Sequence, residues 1–190
     1  SAGPGDAGRV FRTIDGGLNW EEVARCPSRN GFWDGLAFWD SQQGLLVGDP
    51  IDGRLALWRT EDGGKNWEPL NEESRPKVAP GEHCFAASGT PLSLSSNGMA
   101  WIATGGEKAR VFRSENFGRT WSSHTTPIKS GKDSAGIFSI HMRNSQHGIV
   151  VGGDYLDPDN SKNNAAFTAD GGKTWNLITK GNIKGYRSSV

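Results

Sequence analysis

The chain has 190 residues, and its 21 basic and 21 acidic side chains give a formal net charge of zero. A neutral chain has no long-range field to attract nucleic acid, and no apolar run approaches the roughly 18 to 20 residues that cross a bilayer, so we expect neither a nucleic-acid partner nor membrane insertion. The 27 glycines and eight tryptophans favour an ordered all-β domain with many turns. The basic and apolar regions of a signal peptide are missing, so none is predicted in this chain.

The first predicted strand, at 9–13, leads into an eight-residue pattern that occurs four times along the chain. The pattern is Ser or Thr, any residue, Asp or Asn, any residue, Gly, any residue, Thr or Asn, and then Trp; we call each copy a repeat turn. The closing tryptophans are 47, 54 and 54 residues apart, a spacing typical of repeat architectures. The defining residues are Thr13, Asp15, Gly17 and Trp20; Thr60, Asp62, Gly64 and Trp67; Ser114, Asn116, Gly118 and Trp121; Thr168, Asp170, Gly172 and Trp175.

The repeat turn has the composition of a hairpin connection. Its Asp or Asn side chain accepts hydrogen bonds from backbone amides two residues on, and the hydroxyl residue assists from the flank. The glycine provides a positive φ, and the tryptophan begins the outgoing strand with its ring over the turn. We therefore expect these residues to be structural and not catalytic.

Short apolar strands flank the repeat turns in a constant order. In each complete unit three strands precede the turn and a fourth follows it, and helical periodicity is absent. Four antiparallel strands in a unit of about 50 residues predict a β-propeller with four-stranded blades. The predicted strands are 35–39, 45–48, 54–59 and 67–70; 85–88, 100–104, 111–113 and 121–123; 137–142, 149–152, 165–168 and 175–178.

These units predict one propeller domain with an incomplete ring. We expect a partial blade at 1–24, full blades at about 31–70, 82–124 and 135–179, and the start of another blade at 185–190. Such a chain is either a fragment of a longer propeller or a unit that self-associates through its exposed blade edges. The residues leave both alternatives open.

The repeat turns resemble the Asp-box, or bacterial neuraminidase repeat, of β-propeller proteins. The stretches 11–20 and 40–48 are similar in style to propellers related to photosystem II stability and assembly factors, and to related bacterial proteins of unassigned function. The resemblance implies that each box lies between the third and fourth strands of a blade. It also implies a binding or assembly role and a secreted or periplasmic location, and it places the active sites of related sialidases around the axis on the opposite face.

A sialidase needs three arginines, a Tyr–Glu nucleophile pair and an Asp acid/base, and this chain matches those needs poorly. Arg9, Arg54 and Arg110 each open a third strand beside the opposite face, where an arginine cluster is conceivable. Tyr155 and Tyr186 have no obvious Glu companion, and the Phe-Arg-Ile-Pro segment is missing.

Any other glycoside hydrolase would need two carboxylates at a set separation. Asp49 and Asp154 in predicted loops, and Glu82 with His83 as an acid-base pair, are the catalytic candidates. Loop carboxylates are more often solvated or bound to backbone amides, and sequence does not show which of them converge. The other acidic candidates are Asp34, Asp52, Asp133 and Asp157.

Trp33 precedes the inner strand of a blade, where its ring could stack on a sugar or a peptide. The acidic loop 154–160 lacks the glycine and terminal glutamate of a calcium loop, so no metal and no cofactor are predicted. Cys26 and Cys84 are either free thiols or a disulfide formed in an oxidising compartment. The predicted binding residues are Trp33, Arg54, Arg110, Tyr155 and Arg187.

The sequence thus favours a non-catalytic binding or assembly scaffold whose face opposite the repeat turns holds a protein or glycan partner. The alternative is a glycoside hydrolase of the sialidase-like superfamily that uses loop carboxylates on the same face. A concave pocket with convergent carboxylates would favour the enzyme, and a flat or filled mouth would favour the scaffold.

Overall fold

The computed structural model describes residues 3–179 and 183–190, which form short β-strands joined by turns. Three single-turn 3₁₀ segments lie at Gly5–Ala7, Glu72–Ser74 and Ala86–Ser88. None of the described residues belongs to a helix of the length and apolarity that would cross a membrane. The strands are β1 (Arg9–Arg12), β2 (Glu21–Arg25), β3 (Trp33–Phe38), β4 (Gly44–Ile51), β5 (Arg54–Thr60), β6 (Glu68–Pro69), β7 (Glu82–His83), β8 (Leu92–Ser95), β9 (Met99–Ala103), β10 (Gly105–Gly106), β11 (Arg110–Ser114), β12 (Ser122–Thr125), β13 (Lys132–Met142), β14 (Gly148–Asp154), β15 (Ala165–Thr168) and β16 (Asn176–Leu177).

The strands form antiparallel sheets in chain order, as the blades of a propeller do. We call β1–β2 blade 1, β3–β6 blade 2, β8, β9, β11 and β12 blade 3, and β13–β16 blade 4. Blade 1 comprises two strands in the described residues, and each of the others has four. The predicted all-β propeller architecture, as part of a ring, is confirmed.

The first strand of blade 3 lies later than predicted. Residues 85–88 were expected to be extended, but Ala86–Ser88 form a 3₁₀ turn that ends at Gly89 with a φ of 67°. The Ser88 hydroxyl donates to the Phe138 carbonyl at 2.9 Å. The prediction at 85–88 is wrong because local hydrogen bonds, from the Gly89 N–H to the Ala86 carbonyl and from the Thr90 N–H to the Ser88 hydroxyl, replace a sheet ladder. The strand begins at β8.

Two short strands that the sequence pattern did not predict connect blade 3 to blade 4. β10 pairs with β7 on one side and with β13 on the other, so the sheet of blade 4 has six strands. Gly105 permits this approach because a side chain there would collide with Gly136 and with the Phe85 ring. The connection lies at the end of the blades where β13 begins.

Apolar side chains fill the spaces between neighbouring blades. Alternate residues of β5 point to opposite sides, so Leu57 packs in the cluster shared with blade 3 while Trp58 packs in the cluster shared with blade 1. Trp101 of blade 3 packs with Val150 of blade 4 in a third cluster. Because inner strands are covered on both faces, runs such as 45–48 are apolar without alternation.

The repeat turns share one pattern of hydrogen bonds, which the second copy illustrates. The Thr60 hydroxyl accepts the Gly64 N–H and donates to the Asp62 carboxylate, both at 2.9 Å. Asp62 accepts the N–H groups of Lys65 and Asn66, both at 3.0 Å. The carboxylate therefore bonds amides three and four residues on, instead of the amide two residues on that was expected, because Gly64 turns the chain back with a φ of 79°.

We expect Asp62→Ala to lower the midpoint of thermal unfolding by a few degrees at pH 7. The hydrogen bond from the Asn66 N–H, followed by that from the Asn66 side chain, lowers the pKa of Asp62 to about 2. A lowered pKa contributes stability above the unfolded pKa of about 3.9, and that contribution is lost as the pH falls through 2. The difference between the variant and the parent should therefore shrink on acidification, as measured by circular dichroism.

Asp159→Asn is the matched control for this measurement, because Asp159 is an exposed loop carboxylate outside the repeat turns. Equal melting curves for parent and Asp62→Ala at pH 7 would contradict a structural role for the turn carboxylate.

In the first three blades the arginine before the repeat turn reaches towards the next blade. Arg12 Nε donates to the Gly63 carbonyl at 2.9 Å, and Arg113 Nε donates to the Gly171 carbonyl at 2.8 Å. The Arg59 guanidinium lies 6.0 Å from the centroid of the Phe117 ring. Blade 4 has Phe167 at this position, and 44% of its surface is exposed.

Residues 183–190, which include the predicted start of another blade at 185–190, contain no strand. They lie along blade 4, since the Tyr186 N–H donates to the Pro158 carbonyl at 2.8 Å and the Arg187 N–H donates to the Gly152 carbonyl at 2.9 Å. Residues 1 and 2 of the predicted partial blade at 1–24 lie outside the described residues.

Candidate functional site

An open cleft lies at the end of the blades opposite the repeat turns. β3 begins and β4 ends at this end, where Trp33 pairs with Gly48. Asp34 and Asp49, each one residue further along its strand, therefore border it. The cleft has a volume of about 620 Å³ and extends from blade 2, past β7 and the segment 84–86 that follows it, to blade 4. Its lining residues are Phe32, Asp34, Asp49, His83, Cys84, Phe85, Ala86, Asp133 and Tyr155.

The buried Asp34 and the half-buried Asp49 form a pair of carboxyl groups at the blade 2 side of the cleft. Burial, together with the charge of Asp49, raises the pKa of Asp34 to about 8. Burial also raises the pKa of Asp49, against the opposing effects of His83 and the Cys84 N–H. Two carboxylates that share a desolvated site cannot both ionise readily, so Asp34 holds its proton near neutral pH.

Aromatic rings form the other side of the cleft. The rings of Phe85 and Phe138 are stacked with centroids 3.7 Å apart, and the His83 ring contacts Phe85 edge-on at 4.7 Å. Tyr155 packs edge-on against Phe138 and is 48% exposed. The predicted binding residue Tyr155 and the predicted acid-base partner His83 therefore both lie at the cleft.

Glu82, which we predicted as the acid of an acid-base pair with His83, is instead part of a buried ion pair. It is 2% exposed and accepts hydrogen bonds from the Thr104 hydroxyl at 2.7 Å and from the Ala79 N–H at 2.8 Å. The Arg110 guanidinium donates to it through two nitrogen atoms. The catalytic candidacy of Glu82 is wrong because every contact on its carboxylate is structural.

The predicted arginines are also engaged within the chain. Arg110 pairs with Glu82 and lies over the Phe112 ring, with its guanidinium carbon 4.8 Å from the ring centroid. Arg54 donates to the Arg75 carbonyl at 2.7 Å and pairs with Glu72. The sialidase-type arginine cluster is therefore not formed by these residues.

Three further candidates lie outside the cleft. Trp33 is 3% exposed and contacts Trp58 edge-on with centroids 5.3 Å apart, so its ring belongs to the core and not to a stacking platform. Asp154 is 1% exposed and pairs with Lys129 and Lys132, each at 3.6 Å. Its burial favours a higher pKa, but hydrogen bonds and these lysines outweigh burial and lower the pKa. Arg187 is exposed on the segment beside blade 4.

Both cysteines are free and buried, so no disulfide joins them. Burial, with the nearby charges of Asp34, Asp49 and Glu82, raises the pKa of the Cys84 thiol well above its ordinary value. At neutral pH the Cys84 thiol is therefore protonated and unreactive, and its side chain lines the cleft. Within residues 3–179 and 183–190, no group of three or more His, Cys, Asp or Glu side chains is arranged to hold a metal ion.

Asp34→Asn should make the protein more stable, and more so at high pH. The unfolded carboxyl ionises near pH 3.9, whereas the folded one keeps its proton up to about pH 8. The folded state therefore binds the extra proton, and stability declines as the pH rises between these values. The amide in Asp34→Asn has no charge to desolvate. We therefore expect the free energy of unfolding to rise by about 2 kcal/mol or more at pH 9 and to change little at pH 4.

Urea unfolding at both pH values measures this gain. Asp133→Asn, at an exposed cleft residue, should show no such pH dependence. An equal effect of Asp34→Asn at pH 4 and pH 9 would contradict a buried, protonated Asp34.

Asp34 was a general acidic candidate in the sequence, but its pairing with Asp49 was not predicted. The available signal was that each carboxylate sits where a buried strand begins or ends, after Trp33 and after Gly48. Phe85 was assigned to a strand, and its ring was not expected at the cleft.

Comparison with known proteins supports the propeller fold. A solved structure described as YCF48 bound to D1 peptide is 20% identical, covers 76% of this chain and 38% of that chain, and has a TM-score of 0.52. YCF48 from Cyanidioschyzon merolae is also 20% identical, covers 80% of this chain and 41% of that chain, and has a TM-score of 0.49.

Sequence comparison identifies the family. Vacuolar protein sorting/targeting protein 10 of the fungus Verticillium alfalfae is 20% identical over 160 residues, which is 78% of this chain and 10% of that protein. The chain thus spans a tenth of this curated relative. The model of the family Sortilin-Vps10, described as "Sortilin, neurotensin receptor 3", matches residues 55–189. The chain therefore belongs to the sortilin-Vps10 family.

Proposed function

We propose that this chain is a non-catalytic protein-binding module whose cleft opposite the repeat turns holds a segment of a partner protein. The observation that carries the proposal is the cleft itself, which is open, extends from blade 2 to blade 4 and combines aromatic with acidic side chains. Pockets with apolar walls and a few placed polar groups are typical of binding sites.

The relatives support a protein as the partner. One propeller structure is described as bound to a D1 peptide, and the fungal relative is named for vacuolar protein sorting and targeting. A location in a secretory or periplasmic compartment is part of the same proposal. We also propose that the repeat turns are Asp-boxes, on the pattern of hydroxyl, carboxylate or amide, glycine and tryptophan that the four copies share.

Site-directed photo-crosslinking tests the proposal. A photoreactive phenylalanine analogue in place of Tyr155 should give a protein adduct in extracts of the source cells, and the partner identified from it should bind the purified chain. The same analogue at Lys65, on the repeat-turn side, is the control and should give no such adduct. A partner that binds equally well when Tyr155 is replaced by Ala and Phe85 by Leu would contradict binding at the cleft.

A glycoside hydrolase is the second candidate, favoured by one observation. Asp34 and Asp49 are paired carboxyl groups with different surroundings, of which one holds its proton near neutral pH, as acid-base catalysis requires. Incubation with a panel of glycans and aryl glycosides decides between the two. Hydrolysis that disappears in both Asp34→Asn and Asp49→Asn would replace the binding proposal with the enzyme.

We further propose that this chain self-associates through the exposed faces of its outer blades. Glycan binding is a second, separate proposal. Phe11 of blade 1 is 49% exposed and Phe167 of blade 4 is 44% exposed. Light scattering at increasing protein concentration tests self-association, and a constant monomer mass would contradict it. A glycan array probed with the purified chain tests glycan binding.

A further inference from the structure

Among residues 3–179 and 183–190, no lysine or arginine lines the cleft that holds the carboxyl pair. Asp34 is 5% exposed, and its Oδ2 atom has no hydrogen-bond partner among residues 3–179 and 183–190. The Oδ1 atom of Asp49 is likewise buried without a partner in the described part of the chain. Unpaired buried carboxyl oxygens are costly, because each has lost its water without gaining a donor.

Elsewhere in the molecule the buried acids are neutralised by basic side chains. Glu82 is paired with Arg110, and Asp154 is paired with Lys129 and Lys132. In contrast, within the described part of the chain His83 is the basic residue that lines the cleft. Asp133 adds a third carboxyl group at the exposed rim.

The remaining wall of the cleft suits a cation as well. The faces of aromatic rings carry negative charge density and attract ammonium and guanidinium groups. Tyr155, 48% exposed, presents such a ring beside the acidic side, and Phe85 lines the same cleft. A carboxyl pair next to aromatic rings therefore favours a cation carried on a carbon chain. The cation is attracted by the carboxyl groups, and the carbon chain packs against the rings.

We propose that the cleft is a specificity pocket for a basic side chain, lysine or arginine, of the bound protein segment. This inference rests on the proposed protein-binding function and names the chemistry of its partner. The ammonium or guanidinium group supplies the donors that Asp34 and Asp49 lack, and its carbon stem packs against the rings of Phe85 and Tyr155. A bare metal ion fits less well, because no cluster of three or more ligands is formed by the described residues.

Selection of peptides tests this pocket. A library of random dodecapeptides is panned on the immobilised 190-residue chain, and the enriched peptides are synthesised. We expect a lysine or arginine to recur at one position. Replacement of that residue by norleucine or citrulline should weaken binding at least about tenfold in fluorescence polarisation.

The protein variant Asp34→Asn/Asp49→Asn, tested with the parent and the norleucine peptides, completes a double-mutant cycle. It preserves shape while removing both carboxyl groups and the negative charge of the pair, so it should bind the parent peptide at least about tenfold more weakly and should no longer distinguish it from the norleucine peptide. Asp159→Asn, outside the cleft, is the matched control and should bind as the parent protein does. A melting curve of each variant verifies folding.

The outcomes separate the two proposals. Enriched peptides without a recurrent basic residue, or with binding unchanged in Asp34→Asn/Asp49→Asn, would overturn the pocket while the protein-binding function stands. Failure to enrich any peptide, with no photo-crosslinked partner at Tyr155, would overturn both.

Discussion

Replacement of Trp101 by alanine should destabilise the protein by about 3 to 5 kcal/mol, the range measured for large aromatic residues in cores. Trp101 is 0% exposed and packs between blades 3 and 4 with Val111 and Val150. Its indole N–H donates to the Gly171 carbonyl at 2.7 Å, so it also ties blade 3 to the last repeat turn. The substitution would leave a cavity at this interface and remove one of the two donors to the Gly171 carbonyl, the other being Arg113 Nε. Urea unfolding followed by tryptophan fluorescence measures the loss.

The matched control is Trp20→Ala, which removes the same side chain where it is 60% exposed. We expect this variant to lose less than about 1 kcal/mol, as exposed positions usually do. Similar losses for the two variants would contradict the view that blade-to-blade packing holds the fold together.

Replacement of Glu82 by alanine should cost about 3 to 5 kcal/mol, because Arg110 then remains with an unpaired charge in a largely buried position. The Glu82 side chain is 0% exposed and that of Arg110 is 16% exposed. The Thr104 hydroxyl and the Ala79 N–H would also lose their acceptor. Chemical denaturation at pH 7 measures the effect.

Two further variants test the cause of this loss. Glu82→Leu combined with Arg110→Leu removes both charges and should recover a large part of the stability. Glu61→Ala removes the partner of Arg59 from the surface, where Glu61 is 67% exposed, and should cost less than about 1 kcal/mol. A double variant less stable than Glu82→Ala would show that packing, and not the unpaired charge, determines the loss.

The blade architecture follows from local sequence, because each repeat turn contains its own structural information. Thr60, Asp62 and Gly64 lie within five residues and satisfy one another's hydrogen bonds without help from distant segments. The alternation of Leu57 and Trp58 likewise follows from the period of a strand. Such short-range features repeat along the chain, and their repetition allows them to be predicted from a single sequence.

The site depended on contacts between segments that are distant in the chain. Asp34 and Asp49 meet because β3 begins near the place where the antiparallel β4 ends. Glu82 does not face the cleft because Arg110 binds it from another strand. Trp33 is in the core because the two sides of a blade are both covered, which residue type alone does not reveal. Neighbouring residues in the sequence therefore determine the turns and strands. Tertiary packing determines the burial and the charge of the cleft, because the desolvation of a group depends on every segment that surrounds it.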